Sequence, residues 1–341
     1  MTTRHLSAAT ADITSAAALL SAGKLVAVPT ETVYGLAADA SIPTAVDAIF
    51  TAKGRPANDP LIVHCAPTPD TLAWLQEHEW IALTPGPLSD LAHELAAGWW
   101  PGPLTMVLPR GPRVSDRITA GKPTVALRVP AHPVTQQLLH ALGRPVVAPS
   151  ANRFGRISPT TATHVMQELD GRIDAVLDGG PCPVGVESTI VCPTATGELQ
   201  LLRPGGCPAE DLAALAPIGI PAPTPDTEAQ TAPGRLQGHY APGTALVALR
   251  AWPPDPPRVR TAVITWGPRP HLPWAHAQRC LTEQGDPREA ARQFYATLRD
   301  MDQCGAEQIL IEDIPIQDGL GRALQDRLGR AIYGSGHQPR P

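Results

Sequence analysis

Two short stretches of this chain carry residue types able to hold a polyphosphate. Lys53-Gly54-Arg55-Pro56 sets two cations at i and i+2 about a glycine, and Ser150-Ala151-Asn152 repeats that spacing with a hydroxyl and a carboxamide. Cations offset phosphate charge, while neutral hydrogen-bonding groups fix orientation. The sequence holds only three lysines (Lys24, Lys53, Lys122) against 24 arginines, so a lysine at this place is not compositional background. A purely local reading competes evenly. A helix over 43–53 would end on Lys53, where a cation suits the macrodipole and Gly54 suits the C′ position.

Other polar groups stand beside apolar runs. Pro29-Thr30-Glu31-Thr32-Val33-Tyr34-Gly35-Leu36 follows an apolar segment and offers two hydroxyls, a carboxylate and a phenol to a small polar substrate; alternatively, Pro29 and Gly35 only frame a turn. His64 closes Leu61-Ile62-Val63 and shares a face with Ile62, so a satisfied core histidine is the default and a substrate contact the sharper reading. Arg128 ends the apolar run from Thr124. A buried cation there needs a partner: Glu31, Glu187, or the carboxylate of an amino-acid substrate, which a guanidinium reads with two hydrogen bonds. Glu187-Ser188-Thr189 and Leu202-Arg203-Pro204-Gly205 repeat the theme. There is no evident Ser/His/Asp arrangement, nucleophilic cysteine, P-loop or GxGxxG fingerprint, so a nucleotide would be held by side chains and strand-end loops.

The elements that position these groups alternate. Strands are expected at 25–28, 61–65, 104–108, 124–129, 146–149, 175–177, 188–192 and 199–202, with helices near 12–22, 43–53, 70–79, 88–97, 132–142, 161–169 and 208–215. Interleaving argues α/β, and the close spacing of the last strands argues antiparallel pairing and a mixed sheet. Residues 216–243, rich in proline, alanine and threonine, read as a linker between a 1–215 domain and a 244–341 domain. The latter shows strands at 244–250, 260–266 and 308–312 and helices at 286–304 and 321–333, the order of a small doubly wound, Rossmann-like α/β domain.

Composition narrows the function class. A chain of 341 residues with 43% hydrophobic and 17% charged residues is globular. A net charge of -5 supplies no global field for nucleic acid. No run of about eighteen apolar residues would span a membrane. The six cysteines form no CxxC pair and no Cys/His zinc spacing, which suits buried free thiols in a cytoplasmic protein.

PTETVYGL, the KGRP…PLIVH run, TVALRVP, APSAN, ESTIV and LLRPG occur here in the order seen in the YrdC-like family. The chain resembles that family over about 12–212. His239-Tyr240-Ala241-Pro242 and the GLGRALQDRLGRA run resemble the linker end and last helix of its long, two-domain threonylcarbamoyl-AMP synthases. The resemblance implies a YrdC-like twisted mixed sheet. It implies an enzyme joining L-threonine, bicarbonate and ATP, with Mg²⁺, into L-threonylcarbamoyladenylate and pyrophosphate; a separate complex then modifies tRNA beside the anticodon.

Carried over by motif, Lys53 and Arg55 act electrostatically, with no evident general base. Lys53, Arg55, Thr124, Ala148, Ser150, Asn152 and Arg203 would hold ATP, with His239 and Tyr240 as a lid. Thr32, His64, Arg128 and Ser188 would hold threonine. Two departures stand out. Asp59 occupies the place of the family's usual asparagine, where an acid repels phosphate unless it faces away or reaches the metal. The linker keeps only Arg235 as a basic residue before His239. A carbamoyl-adenylate-forming carbamoyltransferase and a non-catalytic double-stranded RNA-binding module are the competing readings. The first lacks its usual extra modules here, and the second lacks a basic composition.

Overall fold

The computed structural model describes residues 2–222, 224–234, 236, 238–249, 252, 256–315 and 319–336; Arg235 and Arg250 lie outside them. The described strands are β1 (Arg4–Leu6), β2 (Val26–Val28), β3 (Gly35–Asp39), β4 (Ile62–His64), β5 (Leu104–Pro109), β6 (Thr124–Arg128), β7 (Val146–Val147), β8 (Ala175–Leu177), β9 (Thr189–Pro193), β10 (Leu199–Arg203), β11 (Ile218–Gly219), β12 (Ala245–Leu249), β13 (Thr261–Thr265), β14 (Ala277–Cys280) and β15 (Gln308–Glu312). The described helices are α1 (Thr10–Ser21), α2 (Pro43–Lys53), α3 (Thr71–Glu77), α4 (Pro87–Trp99), α5 (Asp116–Thr119), α6 (Pro133–Leu142), α7 (Ala162–Leu169), α8 (Ala209–Ala213), α9 (Pro287–Gln303) and α10 (Gly319–Ser335).

Strands β1 to β11 form one mixed sheet in the order β1-β8-β2-β3-β7-β4-β6-β5-β9-β10-β11. The expected antiparallel pairing of the late strands is that of β9 with β10. The sheet extends to Ile218–Gly219, inside the stretch read as linker, because β11 pairs in parallel with β10. A second sheet, β12-β15-β13-β14, is parallel throughout. Its TAVIT strand is buried along its whole length, as suits a parallel strand covered on both faces.

Local chemistry explains the helix that ends in the basic pair. Pro43 opens α2 at a position where its missing N–H costs nothing, and Gly54 closes it in the left-handed conformation, φ 64°. Ala45, Val46, Ile49 and Phe50 form its buried stripe. In α9, the Asp286 carboxylate caps the Arg288 N–H at 2.8 Å, and Ala290, Ala291, Phe294, Tyr295 and Leu298 make the buried face. That face joins Val33, Ile157, Val186 and Tyr240 in one apolar cluster, so the second sheet packs directly against the loops of the first.

Candidate functional site

Parallel pairing of β4 with β6 sets Ile62 beside Ala126 and His64 beside Arg128. Alternation along each strand puts these four side chains on one face of the sheet. A cavity of about 50 Å³ lies over that face, lined among others by Thr32, Arg55, His64, Arg128, Ala148, Ser150, Ser188, Arg203, His239 and Tyr240. The site therefore crosses a sheet face and also takes in the strand-end loops.

Arg128 anchors one side. Its Nη1 donates to Thr32 Oγ1 at 2.9 Å and its Nε to the Gly102 carbonyl at 3.2 Å. Its Nη2 stands 2.7 Å from Glu31 Oε1 as an ion pair without hydrogen-bond alignment. Of the two protein carboxylates that the sequence offers it, Glu31 is the one in contact; Glu187 pairs elsewhere, with Arg327 at 2.7 Å. The His64 Nδ1 lies 3.2 Å from the Ile62 carbonyl. Since a carbonyl only accepts, Nδ1 carries the proton and Nε2 remains an acceptor. Burial, then the nearby Arg128 charge, push this imidazole down to about 3, so it is neutral at ordinary pH. Ser188 Oγ is 2.8 Å from Thr105 Oγ1 and 3.1 Å from Arg203 Nη2.

The opposite side carries the basic pair. Lys53 Nζ donates to the carbonyls of Ser150 and Asn152, which ties the end of α2 to the Ser-Ala-Asn turn. Burial, followed by repulsion from Arg55, holds that ammonium well below its ordinary range. Arg55 donates from Nε to the Asp59 carbonyl at 3.0 Å and from Nη2 to the Pro60 carbonyl at 2.7 Å. Asp59, fully buried, turns its carboxylate onto Arg55 Nη2 at 2.9 Å. The departure from the family pattern is thus absorbed within the protein: the acid is paired with an arginine and does not line the cavity.

The segment before β12 closes the site. Gln230 N donates to the Asn58 carbonyl at 3.0 Å, and Ala232 packs against Ile62, Ala126, Ile190 and Leu202. Arg203 Nη1 donates to the Pro233 carbonyl at 3.2 Å. His239 meets Phe154 edge-on at 4.7 Å, and its Nε2 is 3.9 Å from Asp59 Oδ2.

Comparisons with known proteins agree along the whole chain. A family model described as telomere recombination matches residues 18–205, and one described as threonylcarbamoyl-AMP synthase, C-terminal domain, matches 207–332. Threonylcarbamoyl-AMP synthase of Bacillus subtilis is 38% identical, with 97% of this chain and 96% of the relative covered. The Pyrococcus abyssi synthase is 38% identical, covering 93% and 92%. The crystal structure of P. abyssi Sua5 complexed with L-threonine superposes with a TM-score of 0.83 at 34% identity, covering 98% of each chain. The chain belongs to the threonylcarbamoyl-AMP synthase family.

Within this family member, three of the residues named from sequence stand outside the cavity lining: Lys53, Thr124 and Asn152. Lys53 is turned to backbone carbonyls, and the Asn152 carboxamide donates to the carbonyls of Arg153 and Arg156, at 2.8 Å each. Thr124 lies on the Arg128 face of β6 but four residues away, roughly 13 Å along a strand. Sequence reasoning missed Gly234. With φ 74°, an added Cβ there would come within 2.6 Å of Tyr240 Oη and 2.8 Å of Arg203 Nη1. It also missed Arg327 of α10 and Tyr295 of α9, which reach Glu187 at the cavity from the second unit. The thiols divide: Cys65, Cys182 and Cys207 are buried, whereas Cys192, Cys280 and Cys304 are half-buried, and all six are free.

Proposed function

We propose that this chain condenses L-threonine, bicarbonate and ATP into L-threonylcarbamoyladenylate and pyrophosphate, with the residues named above in the roles that follow. The observation that carries the proposal is the meeting of two kinds of group in one cavity: Arg128, Thr32, His64 and Ser188 suit a small amino acid, while Arg55, Ser150 and Arg203 suit a polyphosphate. The threonine nitrogen adds to the carbon of bicarbonate, water leaves, and a carbamate results. A carbamate oxygen then bonds to the α-phosphorus as the bond to pyrophosphate breaks, and pyrophosphate keeps the electron pair. Both reactants are anions, so positioning and positive charge do most of the catalysis.

Glu31 and Thr32 hold the Arg128 guanidinium in place, and its unaligned Nη2 is available to the threonine carboxylate. Neutral His64 offers an acceptor to a substrate N–H or O–H. Lys53 acts at one remove, fixing the turn of Ser150 and Asn152, while an anion beside Arg55 would relieve the mutual repulsion of the basic pair. Thr124 and Ala148 are assigned to the rest of the nucleotide, on the side of the sheet where Ala232 packs against Ile62 and Ala126. Among the described residues, no group of three His, Cys, Asp or Glu side chains can hold a metal ion. Glu31, Asp59 and Glu187 are already matched to arginines. The residues present do not fit a protein-held metal, and Mg²⁺ arrives as the counter-ion of the triphosphate.

A volume of about 50 Å³ is far below the roughly 300–1,000 Å³ of small-molecule sites. Of the 216–243 stretch, the part that follows β11 therefore acts as a lid over the first catalytic unit and must move for ATP to enter, while 244–341 form the second unit. No described helix is long and apolar enough to cross a membrane. We place the reaction in the cytoplasm, with the product passed to a separate tRNA-modifying complex and little or no direct RNA contact. The test is pyrophosphate release from ATP with Mg²⁺ and bicarbonate, with and without L-threonine. Release that needs both threonine and bicarbonate is expected; release indifferent to threonine by the folded chain would remove the proposal.

A further inference from the structure

Arg327 on α10 is fully buried, although it belongs to the second sheet's unit and lies 140 residues from its partner Glu187. Its Nε donates to Glu187 Oε2 at 2.7 Å and its Nη2 to the Pro204 carbonyl at 2.9 Å. Its Nη1 meets Asp326 Oδ2 at 2.5 Å, and the guanidinium carbon lies 5.1 Å from the centre of the Tyr240 ring. These contacts reach three segments that converge on the cavity. Glu187 directly precedes Ser188, Pro204 directly follows Arg203, and Tyr240 belongs to the covering segment.

Glu187 is gripped on its other sides as well. Tyr295 Oη of α9 donates to it, lying 3.0 and 2.9 Å from its two oxygens, and Ser158 Oγ donates at 2.6 Å. A buried carboxylate with donors on both oxygens has one orientation, and the residue next to it inherits that constraint. We propose that Arg327 is a positioning residue for the amino-acid half of the cavity, fixing Ser188 through Glu187 while seating Tyr240 above it. The second unit thereby completes the threonine pocket without touching threonine. This rests on the assignment of Ser188 to threonine.

A purely structural pair would dock the second unit and do nothing else. The two roles separate because docking has its own apolar component: Val33, Ile157 and Val186 pack with Leu246, Phe294 and Tyr295 whatever the charge on Glu187. Glu187→Gln keeps the size and an acceptor oxygen, and Arg327→Lys keeps the charge but loses the planar fork. In the full chain, with pyrophosphate release followed, both variants should raise the KM for threonine about tenfold or more while the KM for ATP moves much less. The double variant Glu187→Gln/Arg327→Lys should be little worse than either alone, since both act through one contact. A lower Tm with the threonine KM unchanged would overturn the proposal and leave a docking pair. Should Arg327→Lys fail to fold, Glu187→Gln and threonine titration by calorimetry carry the same test. Ser188→Ala separates the two levels of failure. If it leaves threonine binding intact, the pocket assignment falls and this proposal with it; if it weakens binding and Glu187→Gln does not, the positioning role alone falls.

Discussion

Arg128 and Glu31 bury opposite charges 2.7 Å apart, and that pairing decides which substitution is informative. Arg128→Ala would strand a buried carboxylate, a change that costs about 3–5 kcal/mol before any effect on substrate. Arg128→Lys keeps the charge and loses the fork. Loss of one charge-assisted hydrogen bond, worth about 1.5–3 kcal/mol, should raise the threonine KM roughly 10- to 150-fold with the ATP KM little changed. An unchanged threonine KM would mark the arginine as a structural ion pair. His64 gives a second residue-scale prediction. Its folded value of about 3 lies below the unfolded value near 6.5, because burial and then Arg128 disfavour the imidazolium. As pH falls below about 6.5, the unfolded chain binds the extra proton first, so stability present at neutral pH is lost. The slope is up to about 1.4 kcal/mol per pH unit for this group. His239, held down by burial and by Arg55, adds a loss of the same sign. Denaturant midpoints between pH 5 and 8 should fall on the acid side, and less so in His64→Asn. A flat profile would mean that neither imidazole is buried neutral.

At the scale of elements, the covering segment passes through one demanding turn. Gly234→Ala must place a methyl against Tyr240 Oη and Arg203 Nη1 in a left-handed backbone, φ 74°, at a cost of about 1–2 kcal/mol from the conformation alone. Limited proteolysis of the ligand-free variant should cut within 224–238 several times faster than in the parent chain, the rate tracking a population shift of about tenfold per 1.4 kcal/mol. Equal rates would mean that this glycine does not govern closure. The regular elements near the site are legible where the chemistry is strong. Residues 43–53 announce their helix by Pro43, a 3.6-residue apolar stripe and Gly54, and α2 has those bounds. Strand β3 was missed because Gly35-Leu36-Ala37-Ala38-Asp39 has little intrinsic preference for a strand and is held by its neighbours β2 and β7. Strands β1 and β14 are short and lack apolar alternation, so only pairing defines them. The motif residues gather as the resemblance implies, but the sheet face they cross follows from register, which no single run contains. Arg327 was illegible for the same reason: on an amphipathic helix an arginine reads as solvated until a carboxylate 140 residues away is brought to it.

Over the whole molecule, the two sheets share buried chemistry as well as a chain. Glu187 of the first unit pairs with Arg327 of the second at 2.7 Å, Glu168 with Arg299 at 3.1 Å, and Arg156 with Asp302 at 3.3 Å. Tyr240 and Val33 lie in the apolar cluster of the second unit. Cutting the chain after residue 215 would therefore do more than remove a lid. It would strip β11 from the sheet edge, take Arg327 from Glu187 and Arg299 from Glu168, and expose Val33, Ile157 and Val186 to water. A chain ending at 219 keeps β11 and isolates the other losses. Both truncations should show a lower Tm and impaired threonine-dependent pyrophosphate release, and the second should be the more stable. Their defects should also differ in kind from that of Gly234→Ala, which disturbs the cover and leaves the Glu187–Arg327 pair in place. If the chain ending at 219 retained full turnover, neither the lid nor the second unit would be needed for catalysis. If it kept its stability but lost threonine affinity, the role of the second unit would be to shape the pocket beneath the lid.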